Sequence, residues 1–218
     1  MLKISQTLDG SNTLKDETLS ETYHSMNGAV QESMHVFIHN GLLAACKDKD
    51  SIAVFEMGFG TGLNALMTAI HIPNGVLVSY TSVELFPIDL EMLRKLNFNA
   101  IGSEANLYDT IIESPYNVWK NISNGFLLKK ITANFLEMDV TNNFYDLIYY
   151  DAFGPKIQPE LWTKECMQKC YDLLKPDGIL VTYCAQGEFK RNLKAVGFKV
   201  EELKGPPGKA QMTRARKI

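Results

Sequence analysis

No apolar run in this 218-residue chain is long enough to cross a bilayer. The most continuous stretches, such as Ile179 to Tyr183, fall far short of the roughly 20 residues a spanning helix needs. The N-terminal MLKISQTLDG lacks the apolar core of a secretory signal, so a cytoplasmic protein with no membrane partner is expected. Cysteine is sparse. Cys46, Cys166, Cys170 and Cys184 include no C-x-x-C pair, and Cys166 and Cys170 are spaced to share one helix face, as buried reduced thiols rather than metal ligands. His24, His35, His39 and His71 show no ligand spacing, so no metal is expected. Repeats and low-complexity segments are absent. With 15 Gly, 8 Pro, 45% hydrophobic and 22% charged residues, collagen-like and disordered classes are excluded and one buried core with an appendage is expected.

Charge of one sign is also lacking overall, at a net -3, which taken alone argues against a nucleic-acid partner. The distribution says otherwise. Residues 186–218 carry nine basic side chains against three acidic ones, a surplus of six, so the remainder stands at -9. A basic face on an acidic body suits a polyanion, although a solvated surface helix and strand would read the same way.

Strands and helices alternate. Ile52 to Met57 is a short apolar run, followed by a glycine cluster and then by Leu63, Leu66, Met67 and Ile70 on one helix face. Leu77 to Val83 reads as a second strand ending in Glu84, with a helix after Pro87. Residues 104–122 read as helical with a break at Pro115. Tyr145 to Tyr150 is a strand ending at Asp151; Pro159 opens a helix through Leu174, and Pro176-Asp177-Gly178 turns into a strand at Ile179 to Cys184. A last strand after Lys209 returns through Gly205-Pro206-Pro207-Gly208. A turn that tight makes it antiparallel to its predecessor. The expectation is an α/β protein with a mostly parallel sheet covered on both faces. Residues 1–45 form an N-terminal extension, and 46–218 the α/β domain.

Two motifs carry chemistry. The first is Glu56-Met57-Gly58-Phe59-Gly60-Thr61-Gly62 at the first strand-to-helix turn, where glycines let a backbone pass close to a ligand. A dinucleotide fingerprint needs Gly or Ala at 63, and this chain has Leu63. The G-x-G-x-G spacing with a preceding acid resembles motif I of the Rossmann-like class I S-adenosylmethionine-dependent methyltransferases; a plain tight turn is the alternative. Glu84, at the end of the second strand, is placed to accept from both ribose hydroxyls. Asp139 stands where that superfamily often has an acid for the adenine amino group. The second motif is Asp151-Ala152-Phe153-Gly154-Pro155 at the end of a central strand, where open α/β sheets bind ligands. It resembles the Asp/Asn-Pro-Pro-aromatic motif of amine-methylating enzymes. An amine attacks a sulfonium methyl only as the free base, so a carboxylate beside it can hold and deprotonate the ammonium, and Phe153 can stack on a planar base. A helix-capping Asp151 and a core Phe153 are the plainer alternative.

The string from Asp151 through Gln158-Pro159-Glu160-Leu161-Trp162-Thr163, with Thr182-Tyr183, Val196-Gly197-Phe198, and Gly205 followed by Lys209 and Met212, resembles the MnmC-like methyltransferase family. So do Tyr23-His24-Ser25-Met26-Asn27-Gly28-Ala29, Glu32-Ser33-Met34-His35-Val36-Phe37-Ile38 and Gly58 to Asn64. The resemblance covers about residues 20–216. It implies a seven-stranded sheet with an antiparallel last strand, and transfer of methyl from S-adenosyl-L-methionine to the 5-aminomethyl group of a wobble uridine in the tRNA anticodon loop. The chain ends at Ile218 with no room for the FAD domain fused to some members, which implies the stand-alone type and an aminomethyl substrate made elsewhere. By position, Asp151 becomes the amine-binding acid/base, and Glu56, Gly58, Gly60, Gly62, Asn64 and Glu84 the cofactor residues. Tyr23 and Glu32 fall in the segment expected to fold over the site, and Lys209 and Arg214 are expected on phosphates. A methyltransferase for a protein or small-molecule amine, or a cofactor-binding scaffold without catalysis, remain the other readings.

Overall fold

The computed structural model describes all 218 residues. Three short strands, β1 (Leu2–Gln6), β2 (Asn12–Asp16) and β3 (Glu21–Thr22), make an antiparallel sheet at the N-terminus. A continuous helix follows, built from α1 (Ala29–Ser33), a π-helical segment (Met34–Leu42) and α2 (Leu43–Ala45). The wider π turn frees backbone carbonyls, and the Asn40 carboxamide donates to the His35 carbonyl at 2.7 Å. Gly41 lets this helix lie directly on the main sheet, because a Cβ there would stand 3.0 Å from both Tyr149 and Val181 side chains.

The main sheet holds β4 (Ser51–Met57), β5 (Leu77–Glu84), β6 (Lys120–Ser123), β7 (Phe126–Thr132), β8 (Tyr145–Tyr150), β9 (Leu174–Thr182), β10 (Phe198–Lys204) and β11 (Gln211–Lys217), in the order β10-β11-β9-β8-β4-β5-β7-β6. Strands β7, β5, β4, β8 and β9 run parallel, and β11 enters antiparallel between β9 and β10. The helices are α3 (Leu63–His71), α4 (Leu90–Leu93), α5 (Leu107–Glu113), α6 (Lys164–Leu173) and α7 (Gly187–Ala195). Strands β4 and β8 are apolar almost throughout because both faces are covered. Leu147 and Tyr149 join the core with Phe37 and Leu66, while Ile148 and Tyr150 join the other with Met167 and Phe189. All four cysteines are buried and unpaired.

The sheet has eight strands, one more than the expected seven. The helix expected to reach residue 122 ends as α5 at Glu113, and β6 pairs antiparallel with β7 through a turn at Gly125 with φ +81°. Asn117, at φ +64°, donates its N–H to the Lys130 carbonyl at 2.6 Å, and this diverts the chain onto the sheet edge. The helix after Pro87 is a single turn, α4, followed by a 3-10 turn at Asn97–Ala100.

The chain adds β5 and β7 on one side of β4, then crosses back to place β8 on the other side. At such a reversal the two loops leaving the strand ends diverge and open a crevice. Met57 and Tyr150 are register partners at those ends, so the glycine loop and Asp151 emerge side by side.

Candidate active site

A cavity of about 920 Å³ opens at this point, lined by the glycine loop, Glu84, Asp151, Phe153 and the N-terminal residues Tyr23 and Glu32. The Gly58 N–H donates to the Val83 carbonyl at 2.9 Å and the Asp151 N–H to the Met57 carbonyl at 3.1 Å, which ties the loop to both neighbouring strands. Gly58 has φ +88°, and a Cβ there would stand 3.1 Å from the Asp151 carbonyl oxygen, so only glycine suits this approach. Gly62 begins α3 in the left-handed region at φ +77°, and a Cβ would meet the Phe59 ring at 2.9 Å. Gly62 therefore shapes the loop from behind and does not line the cavity.

Glu84 holds the loop from the end of β5. Its carboxylate accepts the Gly60 N–H at 3.0 Å and the Phe86 N–H at 2.9 Å, one on each oxygen, leaving further lone pairs facing the cavity it lines.

Glu56 is fully buried and does not line the cavity. Ser82 Oγ donates to its Oε2 at 2.6 Å, while Oε1 has no hydrogen-bond partner. Burial raises its carboxyl to about 8, with the Asp151 charge adding to the shift and the Ser82 hydrogen bond opposing it. It is a neutral acid inside the sheet, and its place beneath the site differs from the cofactor contact expected.

Asp151 is half-buried. Asn64 Nδ2 donates to its Oδ2 at 2.7 Å, and Ser33 Oγ donates to Asn64 Oδ1 at 2.7 Å. Burial first, then the Glu32 charge, raise the Asp151 carboxyl to about 7, against the lowering effects of the Asn64 hydrogen bond and of Lys209. Such a group exchanges a proton near neutral pH. The following residues are fixed in turn: the Phe153 N–H donates to Gln158 Oε1 at 3.0 Å and Trp162 Nε1 donates to the Phe153 carbonyl at 2.8 Å. The Phe153 and Tyr23 rings pack edge to face, with centroids 5.0 Å apart, in the cavity lining.

Lys209 lines the cavity from the C-terminal turn, with Nζ 2.5 Å from Glu32 Oε1 and 3.9 Å from the Tyr183 ring centroid. Arg214 does not reach the cavity. The register pairs it with Glu201, and its guanidinium lies 2.6 Å from that carboxylate. Asp139 is exposed and outside the cavity too, because β7 ends at Thr132 and the residues that line the cavity beyond its end are Ala133 to Leu136. Asn134 lines the cavity there.

Ser33, Asn134 and Tyr183 belong to the site although no single-residue signal marks them; Ser33 and Tyr183 lie only within the family strings. Lys130 carries no sequence signal either. It is buried with Nζ donating to the Ile112 carbonyl at 2.7 Å, packed against the Phe59 and Tyr116 rings, and burial lowers it to about 8. It supports Phe59 from below. No group of three or more His, Cys, Asp or Glu side chains is placed to hold a metal ion.

The family model described as an S-adenosyl-L-methionine-dependent methyltransferase matches residues 120–218. The tRNA 5-methylaminomethyl-2-thiouridine biosynthesis bifunctional protein MnmC of Actinobacillus pleuropneumoniae is 26% identical, over 95% of this chain and 34% of its own length. The protein of the same name from Cupriavidus necator is 29% identical, over 88% of this chain and 31% of its own. The chain thus spans about a third of the length of these curated relatives. The crystal structure of MnmC2 from Aquifex aeolicus superposes with a TM-score of 0.82 at 25% identity, covering 99% of this chain and 69% of that one. Spermidine synthase from Thermotoga maritima shares the fold, with a TM-score of 0.59 at 18% identity over 99% of this chain and 71% of its own. Joined to the doubly wound sheet with its antiparallel last strand and the glycine loop facing Asp151, these matches make the chain similar to the methyltransferase part of the MnmC proteins and to S-adenosyl-L-methionine-dependent methyltransferases.

Proposed function

We propose that this protein transfers a methyl group from S-adenosyl-L-methionine to the 5-aminomethyl group of the wobble uridine in the tRNA anticodon loop, giving 5-methylaminomethyl-(2-thio)uridine, and that it does so in the cytoplasm. The observation that carries the reading is Asp151. It is held by Asn64, raised to about 7, and set beside the glycine loop in a cavity with two aromatic rings.

The residues present fit the cofactor. Glu84 offers unused carboxylate lone pairs for ribose hydroxyls, the close approach at Gly58 leaves backbone exposed to a ligand, and Asn134 offers a carboxamide in the place expected of Asp139. When bound, S-adenosyl-L-methionine supplies a methyl group on a positively charged sulfur. Asp151, ionised, holds the acceptor ammonium, orients it and takes its proton, so the nitrogen lone pair is free at the moment of attack. The Asn64–Ser33 chain fixes the carboxylate, and Phe153 with Tyr23 offers flat apolar surface to the base. Residues 1–45 act as a cover, bringing Tyr23 and Glu32 over the cofactor and acceptor. Anticodon-loop bases are already unpaired in part, so little unstacking opposes entry.

The test is to incubate the protein with methyl-labelled S-adenosyl-L-methionine and bulk tRNA from cells lacking it, then digest and identify the labelled nucleoside. Label in 5-methylaminomethyl uridine supports the reading. Absence of label in tRNA, with cofactor binding intact, overturns the substrate and moves it to a protein or small-molecule amine.

A further inference from the structure

One cation already sits in the cavity. The Lys209 ammonium lies 2.5 Å from Glu32 Oε1 and 3.9 Å from the centre of the Tyr183 ring. Both partners are fixed. The Glu32 side chain is only 10% exposed, and its Oε2 accepts the Ser25 N–H at 3.0 Å; the Tyr183 hydroxyl donates to the Ala152 carbonyl at 2.9 Å, one residue beyond Asp151. Lys209 is the movable member. It stands on a turn, its side chain is 32% exposed, and its four-carbon stem has many rotamers. A buried carboxylate beside an aromatic face is a receptor for a primary ammonium, whichever ammonium fills it.

We propose that Glu32 and Tyr183 form the ammonium receptor for the methyl acceptor, and that Lys209 occupies it as a stand-in until the acceptor displaces it. This rests on the amine-methylating reading above and names the residues that select a primary amine. A direct swap of one ammonium for another keeps Glu32 paired while the acceptor enters, so the buried carboxylate is not left alone during binding. Asp151, Glu32, Tyr183 and Lys209 all line the same cavity, so the receptor and the proton acceptor open onto one space. The displaced Lys209 swings to the cavity mouth, where an acceptor carried on a polyanion presents phosphate.

The test uses benzylammonium, a primary ammonium with no phosphate, titrated by calorimetry into protein saturated with S-adenosylhomocysteine. Lys209→Met empties the receptor and is expected to tighten binding about tenfold, Lys209→Arg to leave it as in the wild type, and Glu32→Gln added to Lys209→Met to abolish the gain. No tightening in Lys209→Met, or a gain that survives loss of Glu32, overturns the proposal. Should Lys209→Met fold poorly, the wild type still decides: with 13Cε-labelled lysine, the Lys209 resonance must move as benzylammonium is added, and an unmoved resonance overturns the proposal. The readout is independent of tRNA, so tightening without any label in tRNA leaves the receptor standing and removes only the tRNA substrate.

Discussion

Asn64 presents its amide nitrogen to Asp151 and its carbonyl oxygen to Ser33, both at 2.7 Å, so the hydroxyl on the N-terminal helix dictates which end of the carboxamide meets the carboxylate. Without Ser33 the amide is free to rotate and turn an oxygen toward Asp151. Ser33→Ala is therefore expected to lower kcat/KM at pH 7 by about three- to tenfold, the worth of roughly one hydrogen bond. It should also move the rising limb of the pH profile to higher pH, since the hydrogen bond that lowers Asp151 is weakened. A pH series on both proteins checks it, and an unshifted profile counts against the role.

The Asp151 carboxyl is raised to about 7, and its ionised form is the one that holds and deprotonates an ammonium. Activity, read as kcat/KM, should rise as pH passes upward through about 7. Asp151→Asn should remove that inflection and reduce turnover about 10²- to 10⁴-fold, while calorimetry shows cofactor affinity little changed.

Glu56 makes the opposite kind of prediction, for stability. Its carboxyl is raised to about 8 in the fold from an ordinary value of 4.5, so the folded state keeps a proton that the unfolded chain loses. The stabilisation is whole below about 4.5 and is lost as pH climbs toward 8. Thermal melts of the wild type should fall across that window, and Glu56→Gln, neutral at every pH, should flatten the fall. At pH 8 the variant should melt higher by at least about 2–4 °C, the equivalent of about 1 kcal/mol in a chain of this size.

The C-terminal basic surplus is mostly spent internally. Lys190, Lys209 and Arg214 are in ion pairs, and Arg216 and Lys217 donate to backbone carbonyls. Arg191, Lys194, Lys199 and Lys204 are exposed without such partners, on α7 and the edge strand β10. Replacing Lys194 and Lys199 by Gln should weaken tRNA binding and lower its dependence on log salt by up to about 0.9 for each phosphate no longer neutralised. Filter-binding at several salt concentrations measures the slope. Arg214→Gln should leave it unchanged.

Much of the fold is legible in residue order. The apolar run into Met57, the glycines after it and Leu63 onward on one face could only be strand, loop and helix, because a sheet covered on both sides needs continuous apolar strands and its crossovers need amphipathic helices. The Pro-Gly turn after Lys204 likewise makes the return of β11 antiparallel. Glu84 and Asp151 are readable as candidates for the crevice since each is the first charged group past an apolar strand, and that end of an open sheet is where ligands bind.

What residue order leaves open are matters of register and distant contact. Asp139 and Asn134 differ only in where β7 stops, which its pairing with β5 settles. Arg214 reads as a free cation until cross-strand register sets Glu201 opposite it. Ser33 and Asn64 lie 31 positions apart, Asn64 and Asp151 87 apart, and Glu32 and Lys209 177 apart. No local periodicity encodes such pairs; they exist because the crossover at β4 and β8 gathers distant segments of the chain at one crevice. Local patterning was enough for the layers, the turn types and the chemistry available. Which carboxylate is neutral, which cation is already taken and which amide points at Asp151 follow only from the folded chain, because burial and partner geometry set those states.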